Sequence, residues 1–79
     1  MAPHLALELR VRLVEANLSQ KDVVEVTGLS RSTVGRYLKG ERVPDIDDLD
    51  LLAEALGVEA NDLVAGAERR RAARADAKG

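Results

Sequence analysis

Two short segments with helical periodicity meet at a three-residue turn, Gly28-Leu29-Ser30. A turn of this length bends two helices sharply and needs a left-handed backbone residue, a conformation that glycine adopts without a side-chain clash. Leu29 is predicted to fill the corner between the helices, and Val34 is predicted to pack the later helix against the earlier one. The chain therefore has to place two short helices at a steep angle, with almost no loop between them.

The sequence before this turn predicts two helices. Apolar residues recur at helical spacing in the N-terminal segment, at Leu5, Leu9, Leu13 and Ala16. This first helix is predicted to end near Asn17, a residue that tolerates the left-handed C-terminal position. Ser19 and Asp22 have the spacing of a capping box, so the second helix is predicted to begin there and to end at Gly28.

The sequence after the turn predicts three more helices. Ser30 is predicted to cap a third helix over 31–39. Asp45 follows a proline and is predicted to cap a fourth helix, Gly57 ends that helix, and a fifth begins near Ala60. The buried stripe of the fourth helix is predicted to consist of Ile46, Leu49, Ala53 and Leu56. No segment has the alternating pattern of a strand, so the predicted fold is all-α, with five helices and a helix-turn-helix formed by helices 2 and 3.

The composition argues against most enzyme classes. Cysteine is absent, His4 is the single histidine and Tyr37 is the single aromatic residue. Clusters of thiolate or imidazole metal ligands and Ser-His-Asp triads are therefore excluded. One aromatic ring is too few for a platform that stacks on single-stranded nucleic acid, so Tyr37 is predicted to be a core residue. We expect no catalysis, no metal, no cofactor and no small-molecule substrate.

The apolar runs of the chain are short. No uncharged apolar stretch approaches the roughly 20 residues of a membrane span. Glu8, Arg10 and Arg12 interrupt the N-terminal segment, which argues against a signal peptide. We therefore expect no membrane partner and a cytoplasmic location.

The net charge of −2 hides a separation of charge along the chain. The segment 45–62 contains seven acidic residues and no basic one, whereas 19–42 contains five basic and three acidic residues. A polyanion would meet 19–42 or the basic segment 67–79, not the acidic segment. The acidic segment is interpreted as a solvated face, with a partner-binding or self-inhibitory surface as the alternative.

The residues around the turn and after it form one combined pattern, in which both the residue types and the distances between them are specific. The relevant positions are Leu18, Ser19, Gln20, Val24, Gly28, Leu29, Ser30, Val34, Gly40, Pro44, Leu49, Ala53, Ala55, Leu56, Gly57 and Val58. On these positions the chain resembles the phage-repressor (Cro/Xre-type) helix-turn-helix DNA-binding family, over residues 5–66. Val24 replaces the alanine usual in that family, which predicts a slightly wider crossing of the two helices. Residues 30–38 also look like the recognition helix of lactose-repressor-type headpieces, but that likeness is local.

The resemblance makes the third helix the predicted DNA-reading element. At 100° per residue, Val34, Tyr37 and Leu38 face the core, and the opposite side faces solvent. The predicted base-reading residues are Arg31, Ser32, Thr33 and Arg36. Arginine reads guanine through a two-pronged hydrogen bond, and threonine offers a methyl group to thymine. Gly35 is interpreted either as a close approach of the backbone to DNA or as tight packing between helices.

Phosphate contacts are predicted near the ends of the second and third helices. The residues are Ser19, Gln20, Lys21, Ser30, Lys39 and Arg42. Gln20 lies in the first turn of its helix, where free amides attract anions, and the resemblance implies a phosphate contact there. Lys39 and Arg42 follow the reading helix and could hold the flanking backbone, with ordinary solvated charge as the alternative.

The predicted organisation is a DNA-binding domain over 1–66 and a basic helical extension or tail over 67–79. The cations of the tail are Arg69, Arg70, Arg71, Arg74 and Lys78. The tail could contact DNA, pair with the acidic segment or begin a longer segment. A weak homodimer formed on DNA is predicted, since two-fold repressors present two reading helices to a palindromic site. Its apolar patch is predicted to consist of Leu63, Val64 and Ala67.

Together these features predict a sequence-specific regulator of transcription that binds a double-stranded DNA operator. The resemblance implies a repressor of the phage or prophage type, in the cytoplasm of a bacterium or of a phage-infected bacterial cell. The alternative is an antitoxin-like or adaptor module that uses the same fold to bind a protein. The basic third helix favours DNA, whereas the net negative charge favours the alternative.

Overall fold

Five helices make up the part of the chain that the structure, a computed structural model, describes: residues 2–78, with side chains through residue 74. In chain order the helices are α1 (Ala2–Glu15), α2 (Gln20–Thr27), α3 (Arg31–Lys39), α4 (Ile46–Leu56) and α5 (Ala60–Lys78). No strand occurs among residues 2–78, and the predicted all-α, five-helix class is confirmed. None of these helices has the length and apolarity needed to cross a bilayer.

Side-chain caps and left-handed residues set the ends of the helices. The Ser19 hydroxyl accepts a hydrogen bond from the backbone N–H of Asp22 at 3.2 Å. The Asp22 carboxylate accepts one from the Ser19 N–H at 2.8 Å, which completes the predicted capping box. Gly28 ends α2 with φ +76°, and Asn17 follows α1 with φ +57°. The predicted boundaries of α1 and α2 are therefore confirmed, and the turn between α2 and α3 is as tight as the sequence indicated.

One apolar core joins all five helices. Its buried members are Leu5, Leu9, Leu13, Val23, Val34, Tyr37, Leu52, Ala53, Leu63 and Ala67. α5 runs along α1 in the opposite direction, since Gly66 meets Glu8 while Arg74 lies beside His4. The start of α1 also packs against the end of α3. α1 is thus held between α5 and the end of α3.

Two predictions about apolar residues are wrong. Ile46 is 78% exposed, because it is the first residue of α4 and the inward face of that helix is filled by Leu52 instead. The rest of the predicted stripe faces the core, at Leu49, Ala53 and Leu56. Leu63 and Ala67 are 0% exposed, because both pack in the core of their own chain. They cannot form an exposed dimerisation patch, and only Val64 of that predicted patch reaches the surface.

A buried carboxylate that the sequence pattern does not reveal joins α1 to α5. Glu8 is 5% exposed, and its two oxygens accept hydrogen bonds from Nε of Arg12 at 2.7 Å and from Nε of Arg70 at 2.8 Å. Burial raises the pKa of Glu8, but the two arginines outweigh it and hold that pKa below the ordinary value of 4.5. Gly66 faces the same carboxylate, and a methyl group there would overlap it. Glu8 therefore connects the later part of α5 to the body of the domain.

Candidate nucleic-acid interface

α3 turns a polar face to solvent and an apolar face to the core. Its exposed residues are Arg31, Ser32, Arg36 and Lys39. Val34 and Tyr37 are buried on the opposite side. Thr33 and Gly35 are half-buried at the two edges between these faces. Three of the four predicted base-reading side chains thus point outwards, and Thr33 lies at the margin.

A groove of about 360 Å³ runs beside the polar face of α3. Its lining consists of Gln20, Arg31, Ser32, Gly35, Arg36, Lys39 and Glu41. Gln20 enters from the first turn of α2, and its amide nitrogen donates to the backbone carbonyl of Arg31 at 3.3 Å. A Cβ at Gly35 would lie 3.3 Å from the same nitrogen, so the missing side chain makes room for Gln20. Of the two interpretations of Gly35, the structure therefore supports tight packing between helices.

Ser19 and Ser30, two of the predicted phosphate contacts, use their hydroxyls as helix caps. Ser30 Oγ accepts from the backbone N–H of Thr33 at 3.1 Å and donates to Thr33 Oγ1 at 2.8 Å. The Thr33 hydroxyl accepts this second bond and keeps its own proton as a donor. The Ser19 hydroxyl oxygen likewise accepts from the backbone N–H of Asp22.

A contact between α3 and α4 was not predicted from the sequence. The Tyr37 ring is buried, as predicted, and its hydroxyl donates a hydrogen bond to the Asp48 carboxylate in the first turn of α4. The guanidinium of Arg42 lies over the ring, 6.0 Å from its centroid, which is within the range of a cation–π contact. Burial and the neighbouring Asp48 raise the pKa of Tyr37 to about 12. The available signal was that a buried tyrosine hydroxyl needs a partner.

Arg10 of α1 adds a cation to this surface, and this cation was not predicted from the sequence. Its guanidinium donates a hydrogen bond to the carbonyl of Leu38 in the last turn of α3. A cation is favourable there because the last carbonyls of a helix carry partial negative charge. Arg10 and Lys39 are both exposed, so two positive side chains lie at the end of α3. The 28 residues between Arg10 and Leu38 leave no local pattern that could reveal the contact.

Negative charge is concentrated on a different surface. The exposed acids of α4 are Asp47, Asp50 and Glu54, and none of them lines the groove. Glu41 is the single acid in the lining. Lys21 and Arg42 are exposed but lie outside the groove. Across the described residues, no three His, Asp or Glu side chains are arranged to hold a metal ion. The groove therefore offers hydrogen-bond donors and positive charge to a ligand.

Comparison with known proteins adds two matches. A family model described as helix-turn-helix matches residues 9–63, from α1 into α5. The crystal structure of the restriction-modification controller protein C.AhdI from Aeromonas hydrophila superposes with a TM-score of 0.75 at 31% sequence identity. That alignment covers 78% of this chain and 94% of the C.AhdI chain. No curated protein matches the chain. The family match includes the α2–α3 pair and its groove.

Proposed function

Because this chain belongs to the Cro/C1-type helix-turn-helix family of DNA-binding transcription regulators, we propose that it binds a specific double-stranded operator through α3 and regulates transcription there. The observation that carries the proposal is the exposed face of α3, which places Arg31, Arg36 and Lys39 along one open groove. Cations that neutralise phosphates supply the affinity for duplex of any sequence. Side chains that reach base edges then supply the preference for one sequence.

Four side chains of α3 are proposed to read bases in the major groove. Arg31 and Arg36 each carry a planar fork of donors that fits O6 and N7 of guanine. Ser32 is exposed between them and can bond to several base edges. Thr33 contributes its methyl group to a thymine.

Phosphate contacts are proposed on both sides of the base-reading face. Gln20 lies at the N-terminal end of α2, where free amides also favour an anion. Lys39 and Arg42 are proposed to hold the backbone at the far end, and Arg10 joins them there because it is fixed to the end of α3. The remaining proposed contacts are Ser19, Lys21 and Ser30.

Two kinds of regulator fit this function. A repressor of the phage or prophage type is the first, on the resemblance of the α2–α3 segment to that family. A controller of restriction-modification genes is the second, because C.AhdI is such a controller and shares 31% identity with this chain. A reporter gene placed downstream of the operator would show whether the protein lowers or raises transcription. The identity of the genes that follow the operator would then separate the two kinds of regulator.

Two copies are proposed to bind one two-fold symmetric operator. A single reading helix spans only part of a turn, and two-fold regulators place two such helices about 34 Å apart. With Leu63 and Ala67 buried, Val64 is the exposed part of the predicted patch. We therefore expect pairing mainly on DNA, where adjacent half-sites hold the subunits close.

Selection of duplexes from a random library, followed by mobility-shift titration, tests the proposal. We expect one enriched sequence with two-fold symmetry, and binding that weakens steeply between about 50 and 200 mM salt. Folded protein that enriches no sequence would contradict specific DNA recognition. Binding to a protein partner without DNA affinity would instead favour the antitoxin-like or adaptor alternative.

A further inference from the structure

The contact between Tyr37 and Asp48 links the reading helix to an element of opposite charge. Tyr37 is 1% exposed on the inner face of α3, and its hydroxyl donates to the Asp48 carboxylate. The backbone N–H of Asp48 is held in turn by the Asp45 carboxylate at 2.8 Å, so the acceptor itself is fixed at the start of α4. Within the described residues this is the one hydrogen bond between side chains of α3 and α4.

The same tyrosine supports a cation that is proposed to contact a phosphate. Arg42 lies in the connection between α3 and α4, and its guanidinium is 6.0 Å from the centroid of the Tyr37 ring. Arg42 is exposed, so the ring lies on one side of the guanidinium and solvent on the other. An arginine held over an aromatic face loses less side-chain freedom when it bonds a phosphate. One residue thus fixes the orientation of α3 through its hydroxyl and the direction of Arg42 through its ring.

We propose that Tyr37 and Asp48 are positioning residues for operator recognition, holding α3 and Arg42 in the arrangement that fits the major groove and its flanking phosphate. This inference rests on the proposed function and assigns a DNA-binding role to one carboxylate of the acidic segment 45–62. It also predicts that removing this carboxylate weakens DNA binding, which is the opposite of the expectation from charge alone. A carboxylate near DNA repels phosphates, so its removal should tighten binding unless the carboxylate positions something.

The test compares Asp48→Ala with Asp47→Ala, which removes an exposed acid from the same first turn of α4. Both changes remove one negative charge and one favourable interaction with the start of the helix. We expect Asp48→Ala to weaken operator binding by about tenfold. This is within the loss of affinity expected when one bidentate contact to a base is lost. We expect Asp47→Ala to bind the operator as tightly as the unaltered chain or slightly more tightly. Asp48→Asn keeps an acceptor for the tyrosine hydroxyl and should restore binding.

A lower stability alone would not give this pattern. All titrations are made at a temperature at which circular dichroism shows each variant to be folded, on the operator and on bulk duplex. Loss of folded protein would weaken both affinities equally, whereas mispositioning of α3 lowers the operator affinity more than the bulk affinity. The Tyr37→Phe change keeps the ring under Arg42 and decides the matter if Asp48→Ala does not fold. The Tyr37→Phe/Asp48→Ala double variant should be no weaker than the worse single variant, since both remove one interaction.

The outcomes separate the two proposals. If the unaltered chain binds an operator and folded Asp48→Ala binds it as tightly as Asp47→Ala, the positioning role is wrong and the proposed function stands. If the unaltered chain binds neither operator nor bulk duplex, the proposed function is wrong and the positioning role falls with it. If Asp48→Asn is as weak as Asp48→Ala, the hydrogen bond is not what matters, and the positioning role is again overturned.

Discussion

At the scale of single residues, Glu8 gives the domain a dependence on acid. Its folded pKa lies below the ordinary 4.5, so the ionised carboxylate stabilises the folded state above about pH 4.5. That contribution is lost as pH falls through the lower folded pKa. We expect Glu8→Gln to cost about 1–3 kcal/mol in the free energy of unfolding at neutral pH. We also expect a shallower loss of stability below pH 4.5, measured by urea titration at several pH values.

A matched change on α1 checks that this effect belongs to the buried carboxylate. Glu15→Gln removes an exposed acid from the last turn of α1 and should leave both the stability and its acid dependence nearly unchanged. If Glu8→Gln and Glu15→Gln have the same urea midpoint at every pH, Glu8 does not join α1 to α5 as described.

The cations of the reading face should divide into two classes. Arg36→Ala removes a proposed base contact and should cost about 1–3 kcal/mol on the operator while relaxing preference at one position. Lys39→Ala removes a proposed phosphate contact, so it should weaken all sequences alike and reduce the salt slope by about one. Mobility-shift titrations on an operator mutated at each position measure both. Equal losses on every sequence for both variants would contradict the division.

The identity of the exposed residues on α3 could be predicted, but contacts between distant residues could not. The polar face of α3 follows from 100° steps around Val34, because one buried residue fixes the orientation of the whole helix. Leu63 and Ala67 have the same apolar character whether they face a second chain or their own core. Only the path of α5 along α1 decides between the two. Glu8 was missed for the same reason, since its partner Arg70 is 62 residues away.

At the scale of elements, the caps are expected to control α3 more than its intrinsic helix propensity does. α3 has only nine residues and includes Gly35, so it is too short to be stable without caps and packing. Ser30→Ala removes the cap on Thr33 and should cost about 1 kcal/mol in the free energy of unfolding. Ser30→Asp, which can accept the same N–H, should recover most of it. Thermal melts of both variants measure the difference, and equal melts would show that the Ser30 cap is not important.

The boundaries of the elements were the most predictable part of the fold. Capping side chains and left-handed residues act within a few positions of each other, so they are visible in the sequence at Ser19, Gly28, Ser30 and Asp45. The error in α4 concerns burial and not its boundary: Ile46, its first residue, is exposed because the periodicity continues one turn beyond the core. Periodicity reports which residues share a face, but the extent of the neighbouring helices decides how far that face is covered.

At the scale of the whole molecule, α5 decides where the domain ends. The sequence predicts a domain over 1–66, yet Ala67 is buried in the core and Arg70 bonds Glu8. We therefore expect a chain truncated after residue 66 to lose about 2 kcal/mol or more in the free energy of unfolding, because Glu8 keeps one arginine and loses the other. Truncation after residue 74 retains both contacts and should melt as the full chain does. A 1–66 chain with the melting temperature of the full chain would support the boundary predicted from the sequence.

The pairing of the first helix with the last has a consequence for biosynthesis. Glu8 and Arg70 lie 62 residues apart, which a ribosome takes roughly 3–12 s to add at roughly 5–20 residues per second. During that interval the leucines of α1 have been made while the surface that covers them has not. The contacts between α2 and α3 are local in sequence, whereas those between α1 and α5 join the two ends of the domain. The core itself closes only when α5 has been made, because Val34 and Tyr37 pack in the same cluster as Leu63 and Ala67.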